Sequence, residues 1–236
     1  MTARRPLLRL ALGAAALAAL LSAAPRGLAH PPEGHEARLR DRERYFQPLE
    51  PRPAPDFTLE DAEGRWLGLA DLRGKAVVLH FVYASCPDVC SSHAERIADI
   101  RQMLNRTPVR DLVRFITVTT DPERDTPEVL RGYGPAHGLD PANWIFLTSG
   151  TDRPEATRAL AAAFGHRFTP TPEGMQMHGV VTHVIDREGR LRANFHGPDF
   201  APDNLVAYVR ALAGEHDRQP LEGPWGAIRS WLKGMF

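Results

Sequence analysis

Apolar and polar positions change period several times along the chain, and each change marks an element. Ala76 to Tyr83 is a continuous apolar run rich in Val, which predicts a strand buried on both faces. After Cys86-Pro87 the spacing becomes helical, with Val89, Ala94, Ile97, Ile100, Met103 and Leu104 on one stripe. Leu112 to Thr119 predicts a second buried strand. Thr126-Pro127-Glu128 opens a second helix, with Thr126 at the N-cap and Pro127 in the first turn. Trp144 to Leu147 predicts a third strand, and Arg153 to Phe164 a third helix. Val180 to Ile185 and Leu191 to Phe195 flank the turn-like Asp186-Arg187-Glu188-Gly189, and Asp203 to Ala213 closes the pattern as a helix. Upstream, Phe57, Leu59, Trp66 and Leu69 flank Asp61-Ala62-Glu63-Gly64, which predicts a small hairpin.

Strands alternating with helices, then a hairpin and a final helix, make an α/β domain with a central mixed sheet flanked by helices. The thioredoxin-like fold ends in this way. The Phe57–Leu69 hairpin would be an N-terminal addition to it. The domain is expected over residues 56–214. Residues 30–55 are a polar, Pro-rich linker: 46–55 hold Pro48, Pro51, Pro53 and Pro55 and read as an extended linker or arm, with a short solvated helix or no order over 30–45. Residues 215–236 form a tail whose Trp225, Ile228, Trp231, Leu232 and Phe236 are expected to dock on the domain, with a membrane surface as the alternative.

The first 29 residues stand apart. Arg4, Arg5 and Arg9 precede an apolar run from Leu10 to Ala24, and Gly27-Leu28-Ala29 supplies small residues at a cleavage position. This is the three-part pattern of a secretory signal, cut after Ala29, or of a retained N-terminal anchor. Arg4-Arg5 also fits a twin-arginine signal, although an ordinary basic start is the simpler reading. The chain is therefore expected to be exported to the bacterial periplasm, free or held on the outer face of the inner membrane.

Charge adds one exclusion. The chain holds 29 basic and 29 acidic residues, so no basic surface excess points to nucleic acid. Only two cysteines exist, Cys86 and Cys90, at the predicted strand-to-helix junction. A bridge closing so short a loop removes little chain entropy, so the pair reads as reactive or metal-binding rather than as a staple. Two thiols four apart at a helix start share one side. The positive end of the helix favours thiolate over thiol. Thiolates suit Cu(I) or Zn(II), and they equally suit reversible disulfide chemistry; the spacing alone does not choose.

Tyr83-Ala84-Ser85-Cys86-Pro87-Asp88-Val89-Cys90 resembles the cysteine motif of the Sco/SenC proteins. Thr119-Thr120-Asp121-Pro122-Glu123-Arg124-Asp125-Thr126-Pro127 resembles their second signature. Their third element is a histidine starting a strand eleven residues before the glycine of a hairpin, and His178 stands that far before Gly189. The resemblance implies a thioredoxin-like fold and one copper ion per chain, Cu(I) or Cu(II), held by Cys86, Cys90 and His178. It implies delivery of that copper to the dinuclear centre of cytochrome c oxidase subunit II or another cuproprotein, with another copper chaperone as a further partner. The alternative it carries is a thiol-disulfide reductase in which Cys86 and Cys90 are the redox-active pair that keeps a partner's cysteines reduced; on either reading the chain is not expected to be a classical enzyme.

Several residues depart from that pattern. Ser91 replaces the usual proline after the second cysteine, and Gln176 and Met177 precede His178. Met175 and Met177 are read as packing, with thioether donors to copper as the alternative. His183, five residues after His178, would face the opposite side of one strand and is read as packing or surface. Asp121, Glu123, Arg124 and Asp125 read as a charged loop in which Asp125 and Thr126 organise the next helix. The other histidines, His80, His93 and His166 among them, have no evident partner in sequence. A general disulfide exchanger normally has Cys-x-x-Cys and a facing cis-proline, and no proline lies between Met175 and Gly189. A peroxiredoxin-like site needs a threonine where Tyr83 stands.

Overall fold

The computed structural model describes residues 35–86, 89–139, 141–171 and 174–214. The expected signal or anchor at 1–29 and the tail at 215–236 lie outside them. In chain order the elements are α1 (His35–Arg42), β1 (Phe46–Pro53), β2 (Thr58–Asp61), β3 (Trp66–Gly68), β4 (Ala76–Val82), α2 (Val89–Asn105), β5 (Val113–Thr119), α3 (Pro127–Ala136), β6 (Trp144–Thr148), α4 (Pro154–Ala163), β7 (Arg167–Thr171), β8 (Gly174–His178), β9 (Val181–Ile185), β10 (Arg190–His196) and α5 (Pro202–Leu212). Eight strands form one mixed sheet in the order β1-β10-β9-β4-β5-β6-β2-β3. β4, β5 and β6 are parallel neighbours, and the remaining pairings are antiparallel.

β4 is buried at every position, as a central strand covered on both faces must be. Its side chains alternate between two cores. Ala76, Val78 and Val82 meet Ala94, Ile97 and Ile100 of α2, Leu130 of α3 and Leu205 and Val209 of α5. Val77, Leu79 and Phe81 meet Leu160 and Ala161 of α4, Phe164, and Leu69 and Leu72 of a 3-10 turn. Each fully buried Leu, Ile or Phe contributes about 1.5–3 kcal/mol, so the two layers together fix the sheet from both sides.

Over the described part of the expected linker or arm, residues 35–55, the structure shows a helix and a strand where an extended segment was expected. Phe46–Pro53 is an edge strand hydrogen-bonded to β10, with Phe46 opposite Phe195 and Pro53 opposite Arg190. Its register shifts between Pro48 and Arg52. An edge strand donates on one side only, which is where proline is tolerated in a sheet. α1 is anchored by Leu39, 2% exposed, by Glu36 to the Tyr208 hydroxyl at 2.8 Å, and by Glu43, which accepts from the Ala201 N–H at 2.8 Å and the Asn204 amide at 2.9 Å. These contacts and the β1–β10 ladder hold residues 36–53 against the sheet and α5.

A second difference lies between α4 and β9, where the sequence reading placed no element. β7 and β8 form a separate two-stranded ribbon that, among the described residues, shares no strand ladder with the main sheet. His178 ends this ribbon rather than starting β9, and Gly179, with φ +81°, turns the chain between them. Strand parity therefore does not relate His178 to His183. Among the described residues no helix is long and apolar enough to cross a membrane.

Candidate copper site at the cysteine pole of the sheet

β4 delivers the first motif. It ends at Val82, and the chain turns at once, with the Cys86 N–H donating to the Tyr83 carbonyl at 3.1 Å. Cys86 is 7% exposed and packs into the α2-side core. Cys90 lies in the first turn of α2, as the sequence predicts. The side chains of Cys90 and His178 lie outside the described set, so their backbone positions are what the structure supplies.

Those positions share one end of the sheet. β9 is antiparallel to β4, with Val77 opposite Ile185 and His80 opposite Thr182. The start of β9 therefore lies at the end of β4 from which the cysteine loop leaves. His178 precedes β9 by three residues, and Cys86 follows β4 by four. Among the described residues no three His, Cys, Asp or Glu side chains converge as a metal cage.

The second motif supports the first. Both Asp125 carboxylate oxygens accept the Ala84 N–H, at 3.0 and 3.2 Å, and Oδ2 also accepts the Thr119 hydroxyl. Burial pushes the Asp125 carboxyl pKa up, while the Thr119 and Ala84 hydrogen bonds pull it back. Sequence reasoning gave Asp125 to the following helix. The structure shows it tying the end of β5 to the cysteine loop 41 positions earlier in the chain. The loop is held from its other residues too. The Thr120 N–H donates to the Val82 carbonyl at 2.8 Å, Arg124 pairs with Asp121, and Arg158 donates to the Thr120 carbonyl at 3.2 Å and to Glu123 at 3.0 Å. Thr126 does occupy the N-cap of α3, with Pro127 next, although its hydroxyl makes no capping bond to the helix backbone.

Three histidines without evident partners are interior. His80 on β4 and His93 on α2 meet edge to face, with ring centroids 5.1 Å apart, beneath the cysteine helix. His80 Nε2 lies 3.1 Å from the Thr117 hydroxyl, and His93 Nε2 lies 3.2 Å from the Thr182 hydroxyl, which joins α2 to β9. Burial lowers His93 to a pKa of about 4 and holds His80 well below the usual imidazole value. On the opposite face His166 Nε2 lies 2.9 Å from His183 Nε2. The sequence gives little warning of these pairs, because a histidine within an apolar run has no periodic partner to point to.

The sequence profile of the SCO1/SenC family matches residues 47–214. The chain belongs to the SCO1/SenC family. Among curated relatives, the mitochondrial SCO2 homolog of Bos taurus is 37% identical over 180 residues, covering 75% of this chain and 62% of that protein. The structure of Bradyrhizobium japonicum ScoI with copper bound is similar at a TM-score of 0.56 and 25% identity, covering 68% of this chain and 99% of that one. BsSco is similar at a TM-score of 0.61 and 22% identity, covering 71% and 96%. It is described as a member of the Sco family of cytochrome c oxidase assembly proteins with a disulfide switch. The thioredoxin-like mixed sheet flanked by helices is thus the fold that this SCO1/SenC chain shares with its relatives.

Proposed function

We propose that this SCO1/SenC chain carries one copper ion, as Cu(I) or Cu(II), on Cys86, Cys90 and His178 and delivers it to the dinuclear copper centre of cytochrome c oxidase subunit II. Copper is its cargo. Two thiolates and one imidazole form a soft three-donor set that accepts either oxidation state and leaves the ion exchangeable. The observation that carries the reading is the shared pole: the cysteine loop leaves β4 and the His178 segment enters β9 at the same end of the sheet. Asp125 supports it by holding the Ala84 N–H, two residues before Cys86, so that the loop meets incoming metal in one conformation. The copper-bound Bradyrhizobium relative supports the choice of metal. The N-terminal apolar run supports export to the periplasm, with the leader cut or kept as an anchor.

A second reading is favoured by the disulfide switch described for BsSco. In it, a Cys86 or Cys90 thiolate attacks a partner disulfide and forms a mixed disulfide. The other cysteine resolves it, leaving Cys86–Cys90 oxidised and the partner's two thiols reduced. Thiolate ligation needs the same reduced pair, so the two activities exclude each other at any instant.

The deciding experiment measures Cu(I) stoichiometry and affinity of the reduced protein against a competing chelator, with His178→Ala alongside. One tightly held copper per chain, weakened by His178→Ala and abolished by Cys86→Ser or Cys90→Ser, is the expected result. Unchanged affinity in His178→Ala removes that ligand. No tight copper, together with a readily cycled disulfide, moves the function to the reductase.

A further inference from the structure

The geometry points to His166 and His183 as positioning residues: a buried hydrogen-bonded pair that clamps the root of the β7–β8 ribbon and so sets where His178 stands relative to the cysteine loop. The inference rests on the reading of His178 as a copper ligand.

The ribbon needs such a clamp. It shares no ladder with the eight-stranded sheet, and its innermost rung pairs Arg167 with His178. Whatever holds the backbone at residue 167 therefore holds it at residue 178. The neighbour of Arg167 is His166, 6% exposed, whose own N–H bonds to the Ala161 carbonyl at 3.0 Å and whose ring turns inward to His183 at 2.9 Å. His183 is 1% exposed and sits in the middle of β9, paired on both sides, with Leu79 in β4 and Asn194 in β10 opposite it. The clamp thus joins the ribbon that stands outside the main sheet to one of that sheet's central strands.

Proton placement follows from the network. His183 Nδ1 lies 2.8 Å from Asn194 Oδ1, an acceptor, so His183 Nδ1 carries the proton and donates. His183 Nε2 is then the bare acceptor, and His166 Nε2–H is the donor of the pair. Asn194 is itself oriented, because its amide donates to Gln47 Oε1 at 3.2 Å, and Gln47 also accepts from His196 Nε2 at 2.8 Å. Phe81 and Phe164 wall the pair, with ring centroids 5.0 Å from His166 and 4.8 Å from His183 respectively. Within this wall both imidazoles stay neutral near pH 7, because burial lowers them to about 4 and about 3. The contact is therefore an N–H···N bond and not two facing cations. An apolar pair of similar volume would fill the space, but it would supply no directional bond to fix the rotation of the ribbon root.

The test uses the full chain, reduced, with His166→Phe, His183→Phe and His166→Gln, the last retaining an N–H donor. Without copper, amide exchange over residues 167–171 and 174–178 is expected to quicken about fivefold in both Phe variants, the worth of one neutral hydrogen bond, while α2 and β4 keep their protection. With copper, dissociation of Cu(I) quickens by a similar factor in the Phe variants and recovers in His166→Gln, and the Cys86–Cys90 reduction potential does not move. Unchanged ribbon exchange in the Phe variants overturns the proposal. So does exchange that quickens uniformly through the whole domain, because the pair then serves general stability alone. If His178→Ala leaves copper affinity intact, the ligand assignment fails, and the exchange measurement still decides the clamp.

Discussion

Acid should destabilise this domain steeply, and His93 gives the clearest handle on the effect. The imidazole is 0% exposed, and its pKa falls from 6.5 to about 4 in the fold, mainly by desolvation. Between those values the unfolded chain binds a proton that the native one does not, so stability falls as pH falls. The contribution of His93 is fully present above about pH 6.5, declines by about 1.4 kcal/mol per pH unit, and is gone below about pH 4. At about pH 5 this one residue costs about 2 kcal/mol relative to neutral pH, a sizeable part of the 5–15 kcal/mol that holds a typical domain together. His93→Leu removes the titration. It also removes the bond to Thr182, so the variant should lose about 1 kcal/mol at neutral pH and lose less than the wild type on acidification. The assay is urea unfolding of the reduced, metal-free protein at several pH values from about 7.5 down to about 5, with ΔG plotted against pH. The variant's slope should be shallower by about 1.4 kcal/mol per pH unit in the lower half of that range. Parallel slopes for the two proteins would refute the assignment of a buried neutral His93.

Asp125→Ala strands the Ala84 N–H and the Thr119 hydroxyl, so it should cost about 1–3 kcal/mol and speed amide exchange at residues 83–86 before it does so elsewhere. Gly134→Ala drives a Cβ into the Trp144 ring, a rigid wall at the back of α3. It should cost about 1–3 kcal/mol despite the better helix propensity of alanine, read as a lower urea midpoint with altered tryptophan emission. Phe46→Ala empties the contact with Phe195 and Tyr208 and should cost about 3–5 kcal/mol in calorimetry, whereas a residue in a free linker would cost nothing.

Much of the frame was legible because burial writes itself into periodicity. The Val-rich run of β4, the 3.6-residue stripe of α2 and the Asp186–Gly189 turn each have one physical reading, and the structure has those elements. The cysteine junction was legible for the same reason, since the period changes at Cys86. β1 was missed because Pro48, Pro51 and Pro53 are the strongest strand-breaking signals a sequence can carry, and their tolerance depends on an edge position that only topology reveals. The β7–β8 ribbon was missed through Pro170 and Pro172 in the same way. Asp125 was placed beside its sequence neighbour Thr126, yet its partners are Thr119 and Ala84. Periodicity carries no information on such long-range polar ties, nor on the His166–His183 contact across two elements.

The prolines of β1 also bear on how this protein behaves among copies of itself. A strand whose outer side lacks N–H groups at three of eight positions cannot template another strand, so the β1 edge is closed to intermolecular pairing. The opposite edge, β3, is only three residues long, and the Arg153 guanidinium sits 4.8 Å over the ring of its exposed Trp66. Both margins of the sheet are thereby made poor seeds for fibrils or runaway oligomers. What the strand edges withhold, the loop-bearing pole with Cys86 does not, since it presents turns rather than an open ladder.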